Sequence, residues 1–202
     1  MLHTAKYMHQ ILSLSNDAYE EIFQEINVNG LVEKKGIIYV WTNKNLKSRK
    51  LEIKVRDDLG VKQKLLSREE ILELEPNLNP VFDAGVIYEN AMHARDPHGI
   101  LKEIFKLYIK KGGKFIQSEI TSIEQKTANE TTIKSANEVY LFEKSVIASG
   151  AFSKKLTDQL GENIPLDTER GYHVHFKDKD KLISRPVIFL DRGFGMTPMN
   201  QG

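Results

Sequence analysis

No cysteine occurs anywhere in the 202 residues, which excludes disulfide scaffolds, thiolate metal sites and cysteine nucleophiles. A dominant charge of one sign is missing too. The 29 basic and 28 acidic residues leave a net charge of +1, with lysines and glutamates interspersed, so electrostatic capture of nucleic acid or of an acidic membrane is not expected. No uncharged run approaches the roughly 18 residues that a membrane-spanning helix needs, and the start Met1 to Tyr7 lacks a charged region followed by an apolar core. The expected location is cytoplasmic, or peripheral at the inner face of the cell membrane. There is no internal repeat and no low-complexity segment. What is present is ordinary: 40% hydrophobic and 28% charged residues, in a chain long enough for one large domain or two small ones.

Against that background the stretch from Lys144 to Ser153 stands out. Val146, Ile147 and Ala148 run without a charge into Ser149-Gly150, and an amphipathic segment follows to about Gly161. This reads as a buried strand turning sharply into a helix. The first amides of a helix lack partners within it, and a glycine beside them lets a phosphate or another backbone approach closely. The same strand, Ser-Gly, helix pattern also occurs in α/β domains that bind nothing there.

From about Thr4 to Asn27, apolar residues recur at spacings of three and four, which predicts an amphipathic helix broken near Ser15-Asn16. Ile37 to Trp41 is a compact strand signal after the turn at Lys35-Gly36. A polar helix is expected from about Asn43 to Leu59. Ser67 and Glu70 then form a capping box before a short helix that stops at Glu75-Pro76. Gly85 to Tyr88 reads as a strand, and Asp96-Pro97 as a helix start with Asp96 at the N-cap. Ile100, Leu101, Ile104, Phe105, Tyr108 and Ile109 give that helix an apolar stripe expected to be buried. Further strands are expected over 115–123, 131–133 and 139–142, with a hairpin tip at 127–130. Alternation predicts another strand from Tyr172 to Phe176, and 186–190 with 194–199 read as two antiparallel strands around Asp191-Arg192-Gly193.

His173 and His175 share a strand face if that alternation holds, a spacing able to hold a metal; without a third ligand, histidines hydrogen-bonded within a sheet are the plainer reading and no metal is expected. His93 and His98 are expected on a loop surface. Arg170 is a candidate for pairing with an acidic group near a ligand, with an ion pair to Asp167 or Glu169 as the alternative. Tyr172 is a candidate pocket wall or a core aromatic, and Met196 a candidate to face a substrate. No Ser-His-Asp set and no acid/base carboxylate pair is evident.

In order along the chain, several segments resemble the FAD-dependent D-amino-acid oxidase/dehydrogenase superfamily, which also holds glycine and sarcosine oxidases, and its bacterial D-amino-acid dehydrogenase branch in particular. Leu74-Glu75-Pro76 is similar to the family's L-E-P segment, Asp96-Pro97 opens a helix ending in Gly112-Gly113, and Glu119 to Ile123 resembles its x-V-x-x-I strand. Val146 to Ser153 resembles V-V-x-A-x-G-A-W-S, with Phe152 in place of the tryptophan, and Pro165 to His173 resembles P-L-x-x-x-R-G-Y-H.

The resemblance implies a mixed α+β or α/β chain: part of an FAD-binding domain plus an antiparallel substrate-binding sheet flanked by helices. It implies roles by segment, with 1–84 helical and on the substrate side, 85–162 a partial FAD-binding domain and 163–202 the substrate-binding sheet. Ile120 would contact the FAD adenine through its backbone, and Ala148, Ser149 and Gly150 would line the dinucleotide near its phosphates. The implied reaction is oxidation of a D-amino acid, flavin N5 taking a hydride from the α-carbon and water hydrolysing the imino acid to a 2-oxo acid and ammonia. An N-methyl amino acid, glycine or a 2-hydroxy acid are alternative substrates. Family members begin with a Gly-x-Gly-x-x-Gly motif that binds the FAD pyrophosphate, and none occurs here, since Gly112-Gly113 and Gly193-Phe194-Gly195 have the wrong spacing. The chain is therefore expected to be an internal fragment of an oxidoreductase that binds FAD weakly or not at all, and to self-associate through exposed sheet edges. A non-catalytic α/β binding module is the alternative from another class.

Overall fold

A computed structural model describes residues 2–42, 46–176 and 182–200. They form two compact units, Met1–Gly113 together with His175–Gly202, and Lys114–Val174. These units follow compactness, whereas the segments 1–84, 85–162 and 163–202 follow expected roles; the first unit draws on all three.

In the first unit, helices α1 (Leu2–Leu12) and α2 (Ser15–Glu25) replace the single broken helix of the sequence pattern, the break falling at Ser13-Leu14. Strand β1 (Val32–Glu33) precedes β2 (Ile37–Trp41), and β1 pairs antiparallel with the later β5 (His93–Ala94). Gly36 makes the turn between β1 and β2 at φ +76°, where an added Cβ would lie 2.8 Å from the Tyr88 carbonyl oxygen. The expected start of the next helix near Asn43 lies outside the described residues; α3 spans Leu46–Asp58. Strand β3 (Lys64–Ser67) runs straight into α4 (Arg68–Leu74), then come β4 (Ala84–Tyr88) and α5 (Pro97–Lys110). Late in the chain, β9 (Val187–Phe189) and β10 (Phe194–Met196) complete a five-stranded sheet in the order β10-β9-β2-β4-β3. Its pairings are antiparallel except β2 with β9, which run parallel although about 150 residues separate them.

Strand alternation sorts this sheet into two faces. Ile38, Val40, Leu66, Ile87, Val187 and Phe189 point to one side and join Ile71, Leu78, Phe82 and Ile183 in the core. Each such fully buried side chain contributes about 1.5–3 kcal/mol. Gly85 lies opposite Val40, and α4 rests on it: a Cβ there would meet the Tyr39 carbonyl oxygen at 2.7 Å and Ile71 Cδ1 at 2.9 Å. The capping box that starts α4 is complete, with Ser67 N–H donating to Glu70 Oε2 at 2.8 Å and Glu70 N–H donating to Ser67 Oγ at 3.2 Å. The Ser67 N–H bond to the carboxylate, and Lys64 beside it, hold the Glu70 carboxyl below its ordinary range. The other face carries Tyr39 edge-on to Tyr88 at 5.4 Å, with the Arg56 guanidinium of α3 over the Tyr88 ring and Trp41 buried nearby on β2.

Helix α5 starts as its sequence predicts, with Asp96 capping through Gly99 N–H and Pro97 in the first turn. Its apolar stripe, expected to be buried, is not. Leu101, Phe105, Tyr108 and Ile109 are exposed and no residue of the helix is buried. Periodicity identifies which face of a helix is apolar, not whether an element of the same chain covers it.

The second unit is an antiparallel meander of β6 (Ile120–Thr127), β7 (Glu130–Ser135) and β8 (Val139–Phe142), turning at Ala128-Asn129. After it, Gly150–Phe152 form a 3-10 turn, α6 spans Ser153–Thr157, and a second 3-10 turn ends at Gly161 with φ +80°. Three strand expectations fail here. Residues 115–119 are irregular before β6, Val146 to Ala148 form no strand, and neither do residues 172–176. Val146 is 91% exposed and Tyr172 88% exposed. A strand needs a neighbouring ladder to satisfy its backbone groups, and an apolar or alternating pattern within one segment does not supply it.

Candidate functional site

The residues that the resemblance singles out fall in both units. In the second, Ile120 opens β6 opposite Ser135 and is 37% exposed. Ala148, Ser149 and Gly150 lead into the 3-10 turn, all exposed, with Gly150 at φ +57° and open space where a Cβ would stand. The amide of Ser149 is already engaged, donating to Ser153 Oγ at 3.1 Å. Gln159, which the sequence reading passed over, ties the second 3-10 turn, after α6, to β6: its Oε1 accepts from Ile123 N–H at 3.1 Å and its Nε2 donates to the Thr121 carbonyl at 3.3 Å.

Arg170 and Tyr172 lie in an irregular, exposed run, and among the described residues Arg170 forms no ion pair with Asp167 or Glu169. Neither His173 nor His175 lies in a strand, so the expected shared strand face does not form; no cluster of metal-ligating side chains occurs among the described residues. In the first unit, Met196 packs against the buried core cluster.

Two polar clusters in the first unit escaped sequence reasoning. Glu75, of the Leu74-Glu75-Pro76 segment, is 2% exposed and accepts from Ser184 N–H at 2.7 Å, Ser184 Oγ at 2.5 Å and Arg185 Nε at 3.0 Å. It fastens the end of α4 to the chain entering β9, and Arg185 also donates to the Lys35 carbonyl at 2.9 Å. His93, expected on a loop surface, is instead buried on β5 at 7% exposure. Its Nε2 lies 3.9 Å from Glu33 Oε2, the oxygen that Arg95 holds at 3.0 Å. The Lys35 ammonium on the other carboxylate oxygen, at 2.8 Å, together with Arg95, keeps the Glu33 carboxyl below its ordinary range. Burial outweighs that carboxylate and lowers the His93 pKa. Arg95 and His93 carried no signal toward Glu33 and Lys35, because only the β1–β5 pairing brings them together.

Two depressions of about 340 and 520 Å³ open on the first unit, one beside α2 and the other between α1 and α3; neither is lined by a residue named above as a cofactor or substrate candidate. Ile120 and Ala148 to Gly150, which the resemblance assigns to the dinucleotide, stand open to solvent.

Residues 2–202 match the family described as FAD dependent oxidoreductase. The chain belongs to that family. A D-amino-acid oxidase of Bradyrhizobium diazoefficiens is 26% identical over 199 residues, which is 98% of this chain and 47% of that protein. A D-amino acid dehydrogenase of Neisseria meningitidis serogroup A is 25% identical over 169 residues, 82% of this chain and 40% of its own length. Among solved structures, glycine oxidase from Bacillus cereus superposes on 98% of this chain and 53% of itself with a TM-score of 0.70 at 20% identity. An L-alpha-glycerophosphate oxidase from Mycoplasma pneumoniae, with FAD bound, gives 0.60 over 77% of this chain and 41% of its own at 23% identity. These likenesses establish the mixed α+β fold of an FAD-dependent oxidoreductase. The chain spans about half the length of the relatives it matches. No helix among the described residues is long and apolar enough to cross a membrane.

Proposed function

We propose that this chain is part of an FAD-dependent oxidoreductase that oxidises the C–N bond of a D-amino acid, or a related small amine, to an imino acid that water converts to a 2-oxo acid and ammonia. The observation that carries this reading is the alignment with a D-amino-acid oxidase along 98% of the chain. Glycine, an N-methyl amino acid or a 2-hydroxy acid are the alternative substrates.

Within that enzyme, segment 85–162 serves the FAD side, with the Ile120 backbone toward adenine and Ala148, Ser149 and Gly150 toward the phosphates. Segments 1–84 and 163–202 serve the substrate side, with Arg170, Tyr172 and Met196 as its candidate contacts. The openness of the FAD-side residues supports weak or no FAD binding by the 202-residue chain alone. The reading also places the enzyme in the cytoplasm or peripherally at the inner face of the cell membrane, the near-neutral charge giving no drive toward nucleic acid.

The test is anaerobic bleaching of the flavin of the protein as isolated from its own cells, on addition of a panel of D- and L-amino acids, sarcosine and small 2-hydroxy acids. Bleaching by D-enantiomers and not by L-enantiomers is expected. Bleaching by L-enantiomers or 2-hydroxy acids alone, or no protein-bound flavin, would sink the reading. For the 202-residue chain, FAD should separate from the protein on gel filtration, and stoichiometric retention would count against the weak-binding part.

A further inference from the structure

His93 is the one histidine among the described residues that is buried, and neither of its ring nitrogens has a hydrogen-bond partner among those residues. A neutral imidazole carries one donor and one acceptor, and leaving both unpaired inside a protein is costly. Three charged groups act on the buried ring. Glu33 faces it from β1, Lys35 from the turn after β1, and Arg95 from the end of its own strand. At 3.9 Å the Glu33 carboxylate is too far to accept a hydrogen bond from His93, and a movement of roughly 1 Å would close that gap.

The oxygen nearest to His93 is the one already held by Arg95 Nη1 at 3.0 Å. Arg95 is itself half of a clasp. Its Nε donates to Asn200 Oδ1 at 2.9 Å, its carbonyl accepts from Asn200 N–H at 3.0 Å, and Asn200 Nδ2 donates to the Gly30 carbonyl at 2.8 Å. Three hydrogen bonds thus hold the chain leaving β10 against the β1–β5 pair. The guanidinium at their centre is oriented by Glu33, so whatever moves that carboxylate reaches Asn200.

We propose that His93 is a proton-operated latch on this clasp: once protonated, its imidazolium draws the Glu33 carboxylate away from Arg95 and loosens the hold on Asn200 and the chain leaving β10. Burial disfavours the charged ring more than Glu33 favours it, so the closed form takes up a proton only below the ordinary histidine value of 6.5, while the open form takes it up near 6.5. The open form therefore binds the proton more tightly. The latch is closed above 6.5 and opens as pH falls through 6.5 toward the lower value of the closed form.

The experiment is amide hydrogen exchange of Asn200 by NMR on the full chain, corrected for intrinsic exchange, at about pH 7.5 and about pH 5.5. In the unaltered protein the protection of Asn200 should fall by as much as about tenfold between the two, the limit for one proton over one unit below 6.5. His93→Gln, which cannot be protonated, and Glu33→Gln, which removes the carboxylate that both cations contest, should each abolish that fall. Protection independent of pH in the unaltered protein, or a fall that survives in either variant, overturns the latch. Should His93→Gln fail to fold, the titration of the His93 ring decides together with Glu33→Gln: a midpoint below 6.5 is expected, and one at or above 6.5 overturns the proposal.

Discussion

At Glu75 a carboxylate sits 2% exposed with three donors, two from Ser184 and one from Arg185, so the cost of removing its charge from water is offset by bonds that exist only in the folded chain. Deleting one partner strands the other. Glu75→Ala leaves Arg185, itself mostly buried, facing an empty site, and should destabilise the first unit by about 3 kcal/mol. Urea unfolding at neutral pH checks this, and the double change Glu75→Ala with Arg185→Met should restore part of the loss. A cost for Glu75→Ala below about 1 kcal/mol, the range of an exposed pair, would show that the network is not a buried clamp. Arg185 also reaches the Lys35 carbonyl, and Lys35 pairs with Glu33. One chain of polar contacts therefore runs from the end of α4 to the His93 latch.

Among the elements, the Gly36 turn between β1 and β2 tests how tightly the sheet is specified. Gly36 stands at φ +76° with the Tyr88 carbonyl 2.8 Å from where a Cβ would be, whereas Gly30, at φ +72°, has nothing within 4 Å. Gly36→Ala combines backbone strain with a clash against β4 and should cost at least about 2 kcal/mol; Gly30→Ala carries the strain alone, about 1–2 kcal/mol. Equal shifts in the urea midpoint for the two would remove the contact with β4 as a cause.

Features of this kind divide along a clear line in what the sequence reveals. The Ser67–Glu70 box, the Asp96-Pro97 start, β2, and the β6–β7 hairpin were readable because each is determined within a few residues of itself. The parallel pairing of β2 with β9, the burial of His93 and the Glu75–Arg185 contact were not, since each depends on partners 60 to 150 residues away in sequence. Val146 to Ala148 misled for the complementary reason: three apolar residues state a preference for burial, and no neighbouring strand in the described chain meets it. Of the candidate site, the residues proposed for the cofactor side came only from the resemblance, and Gln159, which fastens the second 3-10 turn to β6, gave no local signal because its partners lie 36 and 38 residues away.

On the scale of the whole molecule, a great deal of apolar surface remains open. On β8, an edge strand of the three-stranded sheet, Val139 is 61% and Leu141 65% exposed, and on α5 Leu101 is 62% exposed. An edge strand presents unpaired backbone groups to any other strand, and apolar side chains on it favour such pairing. The chain at this length should therefore self-associate, with a sedimentation coefficient that rises with protein concentration. Leu141→Lys places a charge on the edge, and Leu101→Glu places one on the helix stripe; the two separate strand pairing from helix packing as the cause. The edge should matter more, because added strands gain backbone hydrogen bonds as well as apolar burial, whereas helices gain burial alone. Leu141→Lys is accordingly expected to return most of the protein to monomer and Leu101→Glu only a part. A concentration-independent monomer, or assembly indifferent to Leu141→Lys, would mean that β8 is protected by something other than its own sequence.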